Sequence, residues 1–341
     1  MTTNGTHLAP PKPTHATKGG NSRVWVGDCR EILAKLPEVK AGTVDLVFAD
    51  PPFNWSRGYD KWDDAMPRED YLKFTREWLD VCRRSLRPGG AFWINIPDDT
   101  CAEIVMHLKA PGADGQPALE MENWCIWHYR FGQNTRERFI NSKVHALYFV
   151  KPGSSEPNAA GGRSAERTWR PERVLEATDR ATTYFDPRTF DKKDGMPGGK
   201  RVPLDVWYGQ YWGRIQGNNK ERRPGHDNQL PEVYLARVIL ACSDEGDVVM
   251  DPFLGSGTTG VIAHALKRRF IGCEYSAENA KRAFERIESG PIRPPDVPPP
   301  PSGIHKARGA STKVIDQFQG LAAAAGSEVK PKPSRRRKAT T

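Results

Sequence analysis

The stretch Val248-Val249-Met250-Asp251-Pro252-Phe253-Leu254-Gly255-Ser256-Gly257-Thr258-Thr259 compresses a strand, a glycine turn and a helix start into one short run. Val248 to Met250 is apolar and β-rich, with Asp251 at its end, and Thr258 to Leu266 has helical character. Glycines at 255 and 257 let a ligand approach the backbone closely, and the amides of the turn and helix start face an open crevice. Phe270-Ile271-Gly272-Cys273-Glu274 reads as the following strand, and Glu274 at its end can accept two hydrogen bonds from a ribose diol. Ser276 then caps a last helix running to about Ser289. This is the unit of an open α/β sheet, whose ligands bind outside the carboxyl ends of the strands. Gly255, Gly257 and Gly260 also satisfy a dinucleotide fingerprint, so the loop alone fits a nicotinamide enzyme equally well.

About two hundred positions upstream, Val44-Asp45-Leu46-Val47-Phe48-Ala49 is a second short, mostly apolar strand, followed by Asp50-Pro51-Pro52-Phe53. A carboxylate, two prolines and an aromatic ring at a strand end make a polar clamp beside a stacking surface. The loop from Pro51 to Pro67 is long for a packed domain, which points to function, and holds Trp55, Tyr59 and Trp62 as stacking residues or loop anchors. Tyr71, Phe74, Trp78, Cys82 and Leu86 recur at helical spacing over Arg68–Leu86, with Pro88-Gly89-Gly90 predicted to stop the helix before a strand at Ala91–Ile96. Further strands are predicted at Arg23–Gly27, Trp124–Tyr129 and Val144–Val150. Helices are predicted at Asp28–Leu36 and, opened by Pro231, at Glu232–Ser243.

Taken in order, Asp50-Pro51-Pro52-Phe53 and Asp251-Pro252-Phe253-Leu254-Gly255-Ser256-Gly257 resemble the catalytic and cofactor motifs of the β-class DNA amino-methyltransferases. Three further segments resemble parts of that family: His226-Asp227-Asn228-Gln229-Leu230-Pro231, Arg138-Phe139-Ile140-Asn141-Ser142, and His145 to Lys151. The resemblance implies an α/β, circularly permuted, Rossmann-like seven-stranded sheet with an inserted target-recognition region. It implies methyl transfer from S-adenosylmethionine to the exocyclic N6 of adenine in double-stranded DNA, with the base flipped out, and no metal. An amino nitrogen conjugated to a base ring is a poor nucleophile. Asp50 and the Pro51 carbonyl would therefore accept its N–H groups and favour a tetrahedral nitrogen, while Pro52 rigidifies the turn and Phe53 stacks on the ring. Asp251, Pro252, Phe253, Gly255, Ser256, Gly257, Thr258 and Glu274 would hold the cofactor. Asp at the first motif position is usual for adenine-N6 enzymes and Ser for cytosine-N4 enzymes, although Phe53 replaces the commoner Tyr. Cytosine-N4 methylation on the same scaffold is the alternative, followed by a catalytically silent DNA-binding relative. Cytosine-C5 chemistry needs a nucleophilic cysteine after proline, and no Pro-Cys occurs.

Net charge is +9 over 341 residues, and its placement is uneven. Residues 1–150 are balanced, whereas 151–225 carry 15 basic and 10 acidic residues and 291–341 carry 10 and 3. Clustered positive charge suits a polyanion, since neutralising phosphates releases counterions. The expected organisation is a flexible leader at 1–22, a catalytic half at 23–151, a recognition insertion at 152–225 and a cofactor half at 226–290. A Pro-rich linker and basic tail would follow at 291–341, with a short helix around Val314–Ala325 and the run Arg335-Arg336-Arg337-Lys338. Six scattered cysteines without a CxxC, and no apolar run long enough for a membrane span, fit a cytoplasmic protein, and the resemblance implies a nucleoid-associated one of bacterial or phage type. The resemblance also allows a homodimer and a cognate restriction endonuclease in a restriction-modification pair.

Overall fold

The computed structural model describes residues 9–58, 61–129, 135–153, 167–178, 188, 198–209, 212–213, 215, 219–223 and 229–297. Tyr59, Tyr211, His226 to Asn228, the helix expected at Val314–Ala325 and the Arg335–Lys338 run lie outside these. The described strands are β1 (His15–Ala16), β2 (Ser22–Val26), β3 (Val44–Ala49), β4 (Leu86–Ile96), β5 (Glu120–His128), β6 (Lys143–Val150), β7 (Glu176–Ala177), β8 (Lys200–Arg201), β9 (Val206–Trp207), β10 (Val248–Asp251) and β11 (Arg269–Glu274). The described helices are α1 (Cys29–Ile32), α2 (Pro37–Ala41), α3 (Arg68–Ser85), α4 (Asp98–Leu108), α5 (Glu232–Cys242), α6 (Thr258–Ala265) and α7 (Ala277–Ser289).

One mixed sheet runs β1-β2-β11-β10-β3-β4-β6-β5-β9. Seven of its strands have four residues or more, and the two-residue strands β1 and β9 extend the expected seven to nine. From β2 across to β4 the neighbours are parallel, while β6 is antiparallel to both β4 and β5. Beyond β3 the chain continues on one side to β4, and beyond β10 on the other side to β11, so the order reverses between β3 and β10. That junction is a topological switch point, where an open α/β sheet leaves a crevice at its carboxyl edge.

Every residue of β3 and β10 is buried, as expected for parallel strands covered on both faces. One face packs on α5, α6 and α7 through residues such as Leu46, Phe48, Tyr234, Val261 and Ile287. The other packs on α1, α2, α3 and α4 through Val47, Trp78, Phe92 and Ile104. Asp45, inside β3, is buried and accepts from Arg87 Nε (2.6 Å) and the Val248 amide (2.8 Å), so a single carboxylate ties β3 to the start of β10.

Three expectations change. Pro88-Gly89-Gly90 does not separate helix from strand: α3 ends at Ser85 and β4 begins at Leu86, carrying the glycines as an irregularity opposite Val44–Leu46. A Cβ at Gly90 would lie 2.9 Å from the Arg87 carbonyl and 3.0 Å from that of Val44, so close backbone approach requires glycine there. Within the leader, β1 pairs with β2, and the Trp25 indole donates to the Pro11 carbonyl (2.9 Å), so residues 11–22 belong to the sheet edge. In the stretch 152–225, Trp169, Val174, Trp207 and Trp212 pack into the core, and β9 joins β5. Trp207 and Trp212 are therefore packing residues, while Tyr208 is exposed.

Candidate active site

β3 and β10 end side by side. Met250 pairs with Val47, which sends Asp50-Pro51-Pro52-Phe53 and Asp251-Pro252-Phe253 out from the same edge of two adjacent strands. Phe53 is half-buried, packs against both faces of the core and lies edge-on to Trp55 at 5.3 Å. The Pro52 carbonyl accepts from the Tyr71 hydroxyl (2.8 Å), which pins the turn onto α3. Asp50 is half-buried and Pro51 buried.

The loop after Phe53 owes its shape to Asp64, a residue that the sequence reading passed over. Its buried carboxylate accepts from the amides of Asn54 (2.9 Å), Trp55 (3.0 Å) and Arg57 (3.0 Å). Asn54 exchanges two hydrogen bonds with the backbone of Met66, both 2.8 Å. These bonds hold Asn54 and Ser56 at φ 58° and 55°, uncommon for non-glycine residues. Trp55 is partly exposed and donates to Asp99 Oδ2 (3.2 Å), whereas Trp62 packs on Phe74 with ring centroids 4.5 Å apart. Of these two, Trp55 is the more exposed.

On the other strand, Asp251 is buried and accepts from the Phe253 amide (2.9 Å). Burial pushes its carboxyl up to about 7, against hydrogen bonds from Thr259 and Phe253 that favour the charge, and the neighbouring Glu274 adds to the upward push. Pro252 is buried, and Phe253 leans on Trp78 and Phe74 with centroids at 5.1 and 6.2 Å. Gly255 has φ +49°, and a side chain there would meet only the Phe253 carbonyl at 3.7 Å, so the space above it is open. Its amide donates to Glu274 Oε2 (2.9 Å), and the Ser276 amide donates to Oε1 (3.0 Å), which fixes the carboxylate beside the turn. Gly257 serves packing instead: at φ +80° it caps α6, and a Cβ would lie 2.9 Å from Ala283 Cβ on α7.

Thr258 is placed differently from the expectation. It is buried, and its hydroxyl donates to the Leu230 carbonyl (3.2 Å) and accepts from Arg286 (2.7 Å). Arg286 also donates to the Ser256 carbonyl (3.0 Å) and pairs with Glu232 at 3.1 Å, both side chains buried. Gln229 donates to the Glu221 carbonyl (2.5 Å), and Glu221 Oε2 accepts from the Glu232 amide (3.0 Å). A buried polar bracket thus joins the segments around 221 and 229–232 to the underside of the glycine turn. Neither Arg286 nor Asp64 carries a local sequence signal, because each acts on backbone brought close only by folding.

A family model for DNA methylases matches residues 44–285, an interval that opens with β3 and closes within α7. The chain belongs to the N6/N4 DNA methylase family. Members use S-adenosylmethionine as methyl donor, so this family member is an S-adenosylmethionine-dependent DNA methyltransferase. The Type II methyltransferase M.HpaI of Haemophilus parainfluenzae is 28% identical over 261 residues, spanning 76% of this chain and 73% of that protein. The DNA adenine methyltransferase YhdJ of Escherichia coli (strain K12) is 27% identical over 262 residues, 76% of this chain and 81% of that one. The solved structure of the PvuII DNA methyltransferase, described as cytosine-N4-specific, shares the fold with a TM-score of 0.53 at 14% identity, covering 92% and 95% of the two chains. Among the described residues, no group of His, Cys, Asp or Glu has metal-binding geometry, and no helix is long and apolar enough to cross a membrane.

The residues of the methylase fit such a donor. A Cβ at Gly255 would meet only the Phe253 carbonyl, at 3.7 Å, which leaves room beside the backbone, and two amides fix the Glu274 carboxylate next to that turn.

Proposed function

We propose that this methylase transfers a methyl group from S-adenosylmethionine to the exocyclic N6 of adenine in double-stranded DNA. The observation that carries this reading is the pairing of β3 with β10, which brings an acceptor motif and an open glycine turn to one edge of the sheet. S-adenosylmethionine, when bound, supplies an electrophilic methyl group on a sulfonium. Asp251, Pro252, Phe253, Gly255, Ser256, Gly257 and Glu274 form its wall, and Thr258 braces that wall from below through Arg286 and Leu230.

Asp50 and the Pro51 carbonyl accept the two amine N–H groups, which localises the nitrogen lone pair toward the methyl. Phe53 stacks on the base, and Trp55 extends that aromatic surface outward. A base inside a duplex cannot reach this edge, so it is extruded at a cost of a few kcal/mol of unstacking, partly offset by these rings. Alignment of nitrogen and methyl can contribute about 7–11 kcal/mol to the rate. Asp50 or water takes the proton released from the amine. The order along the chain, acceptor motif first and glycine turn second, fits a circularly permuted sheet. Asp rather than Ser at position 50 favours adenine.

Expression in a host without DNA methylation, followed by sequencing that reads both marks by polymerase kinetics, tests the reading. N6-methyladenine at one recurring site is the expected outcome, and 4-methylcytosine alone would replace adenine as the target.

A further inference from the structure

Below Asp50, on the face covered by α5, the sheet holds a polar pair that neither the amine clamp nor the cofactor wall uses. Ala49 of β3 lies opposite Ile94 of β4, so Asp50 and Asn95 are next in register. Side chains alternate along these strands: Phe48 and Trp93 belong to the α5 side, Ala49 and Ile94 to the other. Asp50 and Asn95 therefore fall on the α5 side together.

Asn95 is 0% exposed. Its Oδ1 accepts from the Tyr234 hydroxyl at 2.5 Å, and its Nδ2 has no hydrogen-bond partner among the described residues. A buried donor left unpaired costs about 1–3 kcal/mol, so an apolar residue would serve packing better here. Tyr234 is itself enclosed by Phe48, Trp127, Trp207 and Trp212, with ring centroids 5.2–6.2 Å away. Burial raises its phenol well above the ordinary range, and the charges of Cys125 and Asp50 push the same way, which places Asp50 within electrostatic reach of the ring.

We propose that Tyr234 and Asn95 are positioning residues for Asp50: the hydroxyl fixes the amide, whose unpaired Nδ2 is the donor that the neighbouring carboxylate takes up when it turns toward the incoming base amine. The proposal rests on the amine-accepting reading of Asp50. Neither residue touches the base or the cofactor. Their effect is to restrict the rotamer of a group whose acceptor oxygen must be placed to within a fraction of an ångström.

The test measures steady-state methylation of duplex DNA by the full chain carrying Tyr234→Phe, which removes one oxygen and keeps the ring. The expected result is a fall in kcat of about tenfold, at the lower end of what loss of an orienting partner costs, with both KM values within twofold of wild type. Should Tyr234→Phe fail to fold with Asn95 Oδ1 unpaired, the double variant Tyr234→Phe/Asn95→Leu removes both partners, a change that is nearly neutral for stability. It is expected to show the same loss of kcat. An unchanged kcat in the variant that folds, or a rise in KM for S-adenosylmethionine matching any fall in kcat, would overturn the positioning role. Asp50→Ala run alongside separates the two claims. If Asp50→Ala still methylates, the reading of Asp50 fails; if it is inactive while Tyr234→Phe behaves as wild type, only the positioning pair falls.

Discussion

Asp50 and Asp251 are both carboxylates at strand ends, yet the fold gives them different surroundings. Asp50 stands half-exposed at the crevice, whereas Asp251 is enclosed and its carboxyl is pushed up to about 7 by burial. Its value in an unfolded chain is 3.8, so between these limits the folded protein keeps a proton that the unfolded chain has released. The stability contribution of Asp251 is thus fully present below 3.8 and is lost as pH rises through about 7. Denaturant titrations of the ligand-free protein should show this decline over that range for wild type, and Asp251→Asn should flatten it. The same slope in both proteins would remove Asp251 as its source. At this scale the sequence was readable where a residue's placement depends on its immediate neighbours: Asp50, Gly255 and Glu274 stand at the strand ends and turn where the strand-and-turn reading put them. It was silent on Asp64, Asn95 and Arg286, whose partners are 7 to 139 positions away and meet them only after folding.

The elements that position the site were legible to different degrees, for physical reasons. β3, β10, α3, α5 and α7 match their expected bounds to within a residue, because continuous apolar runs, helical spacing, Pro231 and the Ser276 cap are local signals. α4 was missed, although Asp98 and Asp99 suit its first turn. β1 and β9 have two residues each, too few to show periodicity, and exist through pairing across the fold. The loop after Phe53 depends on Asp64, whose carboxylate satisfies three backbone amides. Asp64→Ala should lower stability by about 1–3 kcal/mol and depress methyl transfer at least tenfold, while binding of S-adenosylhomocysteine by calorimetry stays near wild type. Equal loss of that binding would show that the loop and the glycine turn are not separate parts. The turn has its own brace in the Arg286–Glu232 pair. Arg286→Met leaves Glu232 buried without its partner, and a loss of about 3–5 kcal/mol in chemical denaturation is expected. Glu232→Gln/Arg286→Met should recover part of it, which a purely steric effect of methionine would not allow.

Across the whole molecule, one sheet is assembled from two ends of the described chain. β3 and β4 come from the first hundred residues and β10 and β11 from beyond residue 247, and they meet at the one junction where the strand order reverses. Charge follows a similar division: the first 150 residues are balanced, and the positive excess is concentrated at 151–225 and 291–341. Binding of DNA should therefore weaken steeply with salt, as expected when several phosphates are neutralised. The Asp45 carboxylate, bonded to both Arg87 and the Val248 amide, shows how the two ends are registered at the base of the crevice. The proposed chemistry depends on the opposite end of that junction, where the Asp50 motif and the glycine turn leave two adjacent strands. The most direct measurement compares transfer of labelled methyl from S-adenosylmethionine to DNA by purified wild-type protein and Asp50→Ala, with S-adenosylhomocysteine affinity measured on both. The expected result is transfer by wild type, none above background by Asp50→Ala, and equal affinity for S-adenosylhomocysteine. Transfer by Asp50→Ala at a rate near wild type would contradict it.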